Sequence, residues 1–293
     1  MTKRTRGEKL FAVFNTIGML MLSLIFLLPL WHVLMGSISD PLLVSANTGL
    51  ILAPLGTPTL GGYQLVMQNS FILSSYLNTI IYVVCATLFG TALTILAAYA
   101  MSRKNLYFKG PIVFIVTFTM IFNGGLIPTY ILIRDLNMLN TRWSLIIPMS
   151  VTAYNIIIMR TSFAAIPDAL CEAATIDGAG HMRILFQIVL PVSKSILAVI
   201  VLFYAIQHWN AWFNASIYIK DRSLYPLQLT LREIVLLSTE QSIVADADGG
   251  DVEIYRSLIK YATIMVSVLP MMLIYPFVQK YFVTGVMIGS VKG

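Results

Sequence analysis

From Leu10 to Ser39 the chain runs 30 positions without a charged residue, and that run sets the solvent it folds in. A helix of about 20 mainly apolar residues crosses roughly 30 Å of hydrocarbon, so this run is long enough to span a bilayer. Lys3, Arg4, Arg6 and Lys9 precede it as they would in a cleaved secretory signal. Its length exceeds the apolar core of such a signal, about 7–15 residues, and no Ala-x-Ala site follows cleanly, so it reads as a retained helix.

Further runs of this kind continue along the chain, and the segments 11–36, 75–101, 110–132, 143–162, 188–212 and 259–283 are the expected spans. The fourth is the weakest, with only Trp143 to Met159 free of charge, although Arg142 and Arg160 at its ends can snorkel to the interfaces. Only 11% of the residues are charged and 58% are hydrophobic, whereas soluble domains run near 25% charged. The expected fold is an all-α membrane protein with about six transmembrane helices, forming one domain over residues 1–293.

Lys and Arg concentrate on cytoplasmic flanks. With six spans and the N-terminus inside, the cytoplasmic side holds 12 of the 19 basic residues and the other side 7. The net charge of +6 is then mainly a topology signal, and nucleic-acid binding is a poor explanation for it. This orientation puts outer loops at 38–74 and 213–258 and a cytoplasmic loop at 163–187, with both termini cytoplasmic. Asp246, Asp248, Asp251 and Glu253 surround Gly249-Gly250 in the second outer loop, but their spacing does not fit an EF-hand, and a solvated loop face is the better reading.

Catalytic and cofactor signatures are missing. No GxxxxGK[ST] loop occurs, so ATP binding by this chain is not expected. HExxH, GxSxG and GxGxxG are absent too. His32, His181 and His208 are isolated, and Cys85 and Cys171 lie far apart, which suggests neither a metal site nor a disulfide. The spans also lack a central acid or base of the kind that ion-coupled carriers use. Energy for transport is therefore expected from elsewhere.

The loop between the fourth and fifth segments is the informative one. Asp168 after Pro167 reads as an N-cap, Ala169 to Ile176 as a short helix, and Gly178 as a stop with positive φ. Ala173 and Ala174 leave one face nearly flat. A plain surface helix between two spans fits the spacing equally well.

Glu172-Ala173-Ala174, Gly178 six residues after the Glu, and Ile188-Val189-Leu190-Pro191 resemble the EAA loop of permease subunits in binding-protein-dependent ABC importers. Asp177-Gly178-Ala179 is similar to the sugar-permease branch. Tyr76-Leu77-Asn78-Thr79, Ala98-Tyr99-Ala100-Met101-Ser102-Arg103 and the terminal Gly289-Ser290-Val291-Lys292-Gly293 resemble maltose-type permeases. Phe122-Asn123-Gly124-Gly125-Leu126-Ile127-Pro128-Thr129-Tyr130 resembles the branch for complex oligosaccharides. Lys194 and Ser195 depart from the pattern, since the family commonly has a Pro soon after the Leu-Pro pair.

The resemblance implies one half of a translocation pathway for oligosaccharides, completed by a second homologous permease. It also implies two ATPase subunits that use ATP and Mg, and an extracytoplasmic solute-binding protein. Glu172, Ala173, Ala174, Asp177 and Gly178 would form the ATPase-coupling site. The tail from Gly285 to Gly293 either reaches the ATPase interface as well or is a flexible terminus. Aromatic rings with amide groups suit sugar rings, which makes Asn78, Tyr82, Tyr154, Asn155, Tyr204, His208, Trp209, Asn210, Trp212 and Asn214 the pathway candidates; Trp and Tyr near helix ends are also ordinary interfacial anchors. Rival readings are an ion-coupled secondary carrier, an ABC importer for a non-sugar solute, and a non-transporting membrane anchor.

Overall fold

A computed structural model describes residues 5–236 and 252–290. Among them every regular element is helical. The acidic group Asp246–Asp251 and the tail residues Val291–Gly293 lie outside the described residues. The chain divides into two compact units, one of the segment up to Ser70 with Leu231–Leu269, the other of Phe71–Thr230 with the chain from Pro270.

In the first unit, α1 (Arg6–Ser37) opens with a capping box: the Thr5 hydroxyl accepts from the Glu8 amide, and the Glu8 carboxylate accepts from the Thr5 amide at 2.7 Å. From Leu10 to Leu28 every residue but Ala12 is exposed, around the whole helix, as expected of a span whose cover is lipid or another chain. Only Met35, Gly36 and Ser37 are buried, and Gly36 lets the Tyr261 ring come within 3.1 Å of where a Cβ would sit. The expected outer loop 38–74 is largely structured, with α2 (Pro41–Ala46), α3 (Gly61–Gln68) and the start of α4 (Ser70–Ser102). Side chains of α1 pin it: Trp31 Nε1 donates to the Leu52 carbonyl at 2.8 Å, the Ile51 amide donates to His32 Nδ1 at 2.9 Å, and the Ser37 and Tyr63 hydroxyls pair at 2.7 Å.

The second unit is built on α4, which spans without interruption. Three expected spans do not. Residues 110–132 form α5 (Lys109–Ile121) and α6 (Leu126–Asp135), bent by 111°. The cause is local: Asn123 Oδ1 accepts from the Gly125 amide at 2.9 Å, and Gly125 holds φ 89° and ψ 177°, a region essentially closed to other residues. Residues 143–162 give a single turn, α7 (Trp143–Ile146), then α8 (Ala153–Ala164), with Pro148 between them and Thr152 capping the Asn155 amide. After α9 (Asp168–Ile176) and α10 (His181–Ile184), Leu185–Val189 is a π turn leading into α11 (Leu190–Val192).

The π turn has a chemical reason. Pro191 has no N–H to offer the Gln187 carbonyl, and the ring widens so that the Leu190 amide bonds Leu185. The chain then turns by 88° into α12 (Lys194–Trp209). The expected outer loop 213–258 contains α13 (Phe213–Tyr218), a 3₁₀ turn at Arg222–Leu224, α14 (Leu227–Leu236) and the beginning of α15 (Val252–Ser290), which has Pro270 and Pro276 inside it. Three described helices are long and apolar enough to cross a bilayer, or five if each bent pair counts as one span. The shortfall against six is the segment 143–162, whose α8 has only 12 residues.

Candidate coupling and pathway sites

The short helix α9 begins one residue earlier than its sequence suggests. Pro167 occupies the N-cap, and Asp168 is the first helical residue with no capping bond from its side chain. Its carboxylate instead forms an ion pair with Lys104 at the end of α4. The Lys104 hydrogen bond and charge hold the Asp168 carboxyl below its ordinary value of 3.8, and Asp168 raises Lys104 above 10.5. Arg103 reaches the same helix, with Nη1 3.3 Å from Cys171 Sγ while its guanidinium lies 4.6 Å over the Tyr99 ring.

The last carbonyls of α4 have no helical donor, and basic side chains supply one. Lys109 Nζ donates to the Arg103 carbonyl at 2.9 Å and Arg160 Nε to that of Met101 at 3.2 Å. Positive charge there also complements the helix dipole. These cations fix the end of α4, and through Lys104 and Arg103 they fix α9.

α9 has two different faces. Cys171 and Ala174, with Ile166 and Ala179 beside them, pack on a buried cluster that includes Tyr99, Met159, Phe163, Leu185 and Tyr204. On the other side Leu170, Glu172, Ala173, Ile176 and Asp177 are exposed, Ile176 to 86%. The two alanines thus part company, Ala174 inward and Ala173 outward. The helix ends in a Schellman motif: the Gly178 amide donates to Thr175 at 3.0 Å and the Ala179 amide to Ala174 at 2.9 Å. Gly178 takes φ 82°, the positive φ expected of it.

At the other end of α4, Ser75, Asn78, Thr79 and Tyr82 form a polar stripe at i, i+3, i+4 and i+7. Asn78 Nδ2 donates to the carbonyls of Ser223 at 2.6 Å and Tyr225 at 3.3 Å, and its Oδ1 accepts from Arg142 Nη2 at 3.1 Å. The Tyr82 hydroxyl donates to Leu224 at 2.7 Å, Thr79 Oγ1 accepts from the Leu227 amide at 2.8 Å, and Ser75 pairs with Thr230. The stripe is a clasp that holds the backbone of 223–230 on α4.

No protein-family profile matches the chain. It is 38% identical over 275 residues, covering 94% of this chain and 96% of the relative, to the polygalacturonan/rhamnogalacturonan transport system permease protein YtcP of Bacillus subtilis. The chain belongs to the sugar permeases of ABC transporters. Protein LplC of the same organism is 34% identical over 289 residues, 99% of this chain and 97% of LplC. A solved bacterial ABC transporter involved in the import of the acidic polysaccharide alginate has a chain that superposes with a TM-score of 0.88 at 30% identity, covering 96% of this chain and all of that one.

Among the ten pathway candidates of this ABC permease, Tyr82 and Trp212 share one packed cluster and Tyr204 belongs to another. Asn78 and Tyr82 are buried and spend their polar atoms on the clasp. Tyr204 is fully buried, shares a 2.6 Å hydrogen bond with Thr94 and accepts from the Thr152 amide. Asn155 is 3% exposed. His208 is buried with Nε2 unpartnered among the described residues, and Trp209 meets the Tyr76 ring edge-on at 5.9 Å. Asn210 turns back to the Ile206 carbonyl, Trp212 packs into the cluster around Tyr82, and Asn214 Nδ2 meets Met149 Sδ. Of the ten, Tyr154 is the one with a largely open ring, 53% exposed. The clasp itself was missed, although the spacing of Ser75, Asn78, Thr79 and Tyr82 announces a polar face on an otherwise apolar span.

Proposed function

We propose that this chain forms half of the translocation pathway of an ATP-driven importer for oligosaccharides. A second homologous permease forms the other half. An extracytoplasmic binding protein delivers the solute, and two separate ATPase subunits supply the energy from ATP and Mg, which this chain does not bind. The loop 163–187 and both termini face the cytoplasm, and residues 38–74 and 213–258 face outward, in keeping with the 12 to 7 division of basic residues.

The observation that carries the coupling role is the two-sided build of α9. One side is fixed to the end of α4 and to the packed cluster, so displacement of α9 moves those helices with it. The other side presents Leu170, Ala173 and Ile176 as an apolar edge left uncovered among the described residues, flanked by the exposed carboxylates of Glu172 and Asp177. Such an edge suits a cleft on an ATPase subunit, with Glu172 accepting hydrogen bonds or pairing with a basic group there. ATPase closure then reaches the pathway through α9.

The saccharide reading is supported by the sugar-transport relatives. Reconstitution of the chain with its second permease, ATPase and binding protein tests it. ATP-dependent uptake of a labelled oligogalacturonide or malto-oligosaccharide is the expected result. Uptake by this chain alone, driven by an ion gradient, would establish a secondary carrier instead.

A further inference from the structure

We infer that the cavity at the outer ends of α5 and α8 is a solute-facing subsite that holds a sugar ring by its hydroxyls; the inference rests on the saccharide-import reading. The cavity, about 530 Å³, is lined by Thr119, Met120, Phe122, Asn123, Gly124 and the segment Val151–Tyr154. In the proposed orientation α5 begins and α8 ends on the cytoplasmic side, and the two helices pack against each other. With 13 and 12 residues, at 1.5 Å each they rise only about 20 and 18 Å, against roughly 30 Å of hydrocarbon. Their ends and the irregular backbone beyond them therefore lie at membrane depth.

Backbone of that kind does not face lipid. It persists at membrane depth only when covered by protein or when it lines water. Here the carbonyls of Thr119, Met120 and Ile121 follow the last bonded one, Phe118, and find no donor among the described residues. The chain from Phe122 to Gly125 is exposed. Water, and a solute that replaces it, satisfies these groups.

The lining matches one ligand chemistry. The carbonyls accept from hydroxyls, and Asn123, whose Oδ1 is engaged by Gly125, has its Nδ2 left to donate. The Phe122 ring is held by stacking on Phe118, centroids 5.3 Å apart and planes at 16°, and offers a flat face to the CH side of a pyranose. The half-open Tyr154 ring sits across the cavity with its own hydroxyl. Among the described residues no Lys, Arg, Asp or Glu lines it, so a carboxylate of an acidic sugar would point elsewhere, since burying it unpaired is costly.

Gly124 provides the probe. A Cβ there meets nothing within 4 Å, and its φ is not positive, so Gly124→Cys adds a thiol without strain. In the complete importer, with Cys85 and Cys171 replaced, a charged water-soluble methanethiosulfonate should modify position 124. Trigalacturonate or maltotriose, whichever the importer carries, should slow that modification about tenfold. Asn123→Leu should raise the uptake KM about tenfold with Vmax within twofold, and Gly124→Trp should block uptake in a complex that still assembles. Modification only by a membrane-soluble maleimide, or by neither reagent, would mean that lipid or a partner chain covers the cavity, and either result overturns the inference. Equal rates with and without solute, in an importer that carries the saccharide, overturn the subsite alone. An importer that carries no saccharide overturns the import reading and this subsite with it.

Discussion

Replacing Gly178 by Val tests whether the turn after α9 transmits force. Gly178 sits at φ 82°, and a Cβ built on it meets no atom within 4 Å. The penalty is then conformational: an L-residue in the left-handed region costs roughly 1–2 kcal/mol, and a β-branched one is a genuine outlier there. The strain is relieved by releasing the Gly178–Thr175 and Ala179–Ala174 hydrogen bonds, 3.0 and 2.9 Å, which frays the end of α9 beside Asp177. A cost of one or two kcal/mol lowers the population of the native turn by about 5–30-fold. Gly178→Asn supplies the control, since Asn tolerates positive φ by bonding locally. Solute-stimulated ATP hydrolysis by the full complex in proteoliposomes should fall about tenfold with Val and stay within twofold with Asn. Thermal unfolding should match the wild type with Asn and fall by only a few degrees with Val, because Gly178 itself is exposed and lies outside the packed cluster. Wild-type stimulation with Val would refute the mechanical role of the turn. Equal loss with Asn and Val would move the damage from backbone conformation to a clash with the partner surface.

Gly90→Ala should destabilise the permease by about 1–3 kcal/mol, read as a lower unfolding temperature in detergent, because the new methyl would overlap the Ser150 carbonyl oxygen and come within 3.0 Å of its carbon. Asn78→Ala leaves two carbonyls and Arg142 without their buried partner, a cost of roughly 1–3 kcal/mol; amide exchange across Ser223–Leu227 should accelerate, and unchanged protection there would argue against the clasp. Single cysteines introduced at Asp177 and at Arg222 should label only from the inside and only from the outside, respectively, and outside labelling at 177 would invert the topology. The Lys104–Asp168 pair should have no pH dependence between about pH 5 and 9: the Asp168 contribution is present above its ordinary value of 3.8 and is lost only as pH falls through its lowered value, and that of Lys104 is lost only as pH rises through a value above 10.5. ATPase stimulation that differs between wild type and Lys104→Gln by a factor changing near pH 7 would contradict this.

Hydropathy made the membrane class legible because a 30-residue uncharged run has few other uses. The same measure misread three segments as continuous, since a window average does not register a turn placed among apolar neighbours. Asn123-Gly124-Gly125 breaks one through a side-chain bond and a φ that only Gly holds, Pro148 breaks another, and Pro191 with Ser193 turns the third. Those residues were visible, but as turn chemistry and not as hydropathy. Gly178 was readable because φ is nearly dictated by a helix stop. Asp168 was misassigned because its cap role lost to Lys104, 64 positions away, a contact that local sequence does not encode. The hydrogen-bond partners of Asn78, Tyr82 and Tyr204 were equally hidden, because they lie 52 to 147 positions away along the chain.

The π turn at Leu185–Val189 leaves the joint between α10 and α12 with slack. A π ring closes on the fifth residue instead of the fourth, so this stretch stores one residue more than an α-helix of the same rise. Stored length of that kind is a reserve of travel: the surplus residue can migrate along the segment, each step exchanging one backbone hydrogen bond for another. Deleting a single residue between Leu185 and Val189 removes the reserve and leaves a taut joint, regular α-helix in which α12 keeps its present phase but loses the travel.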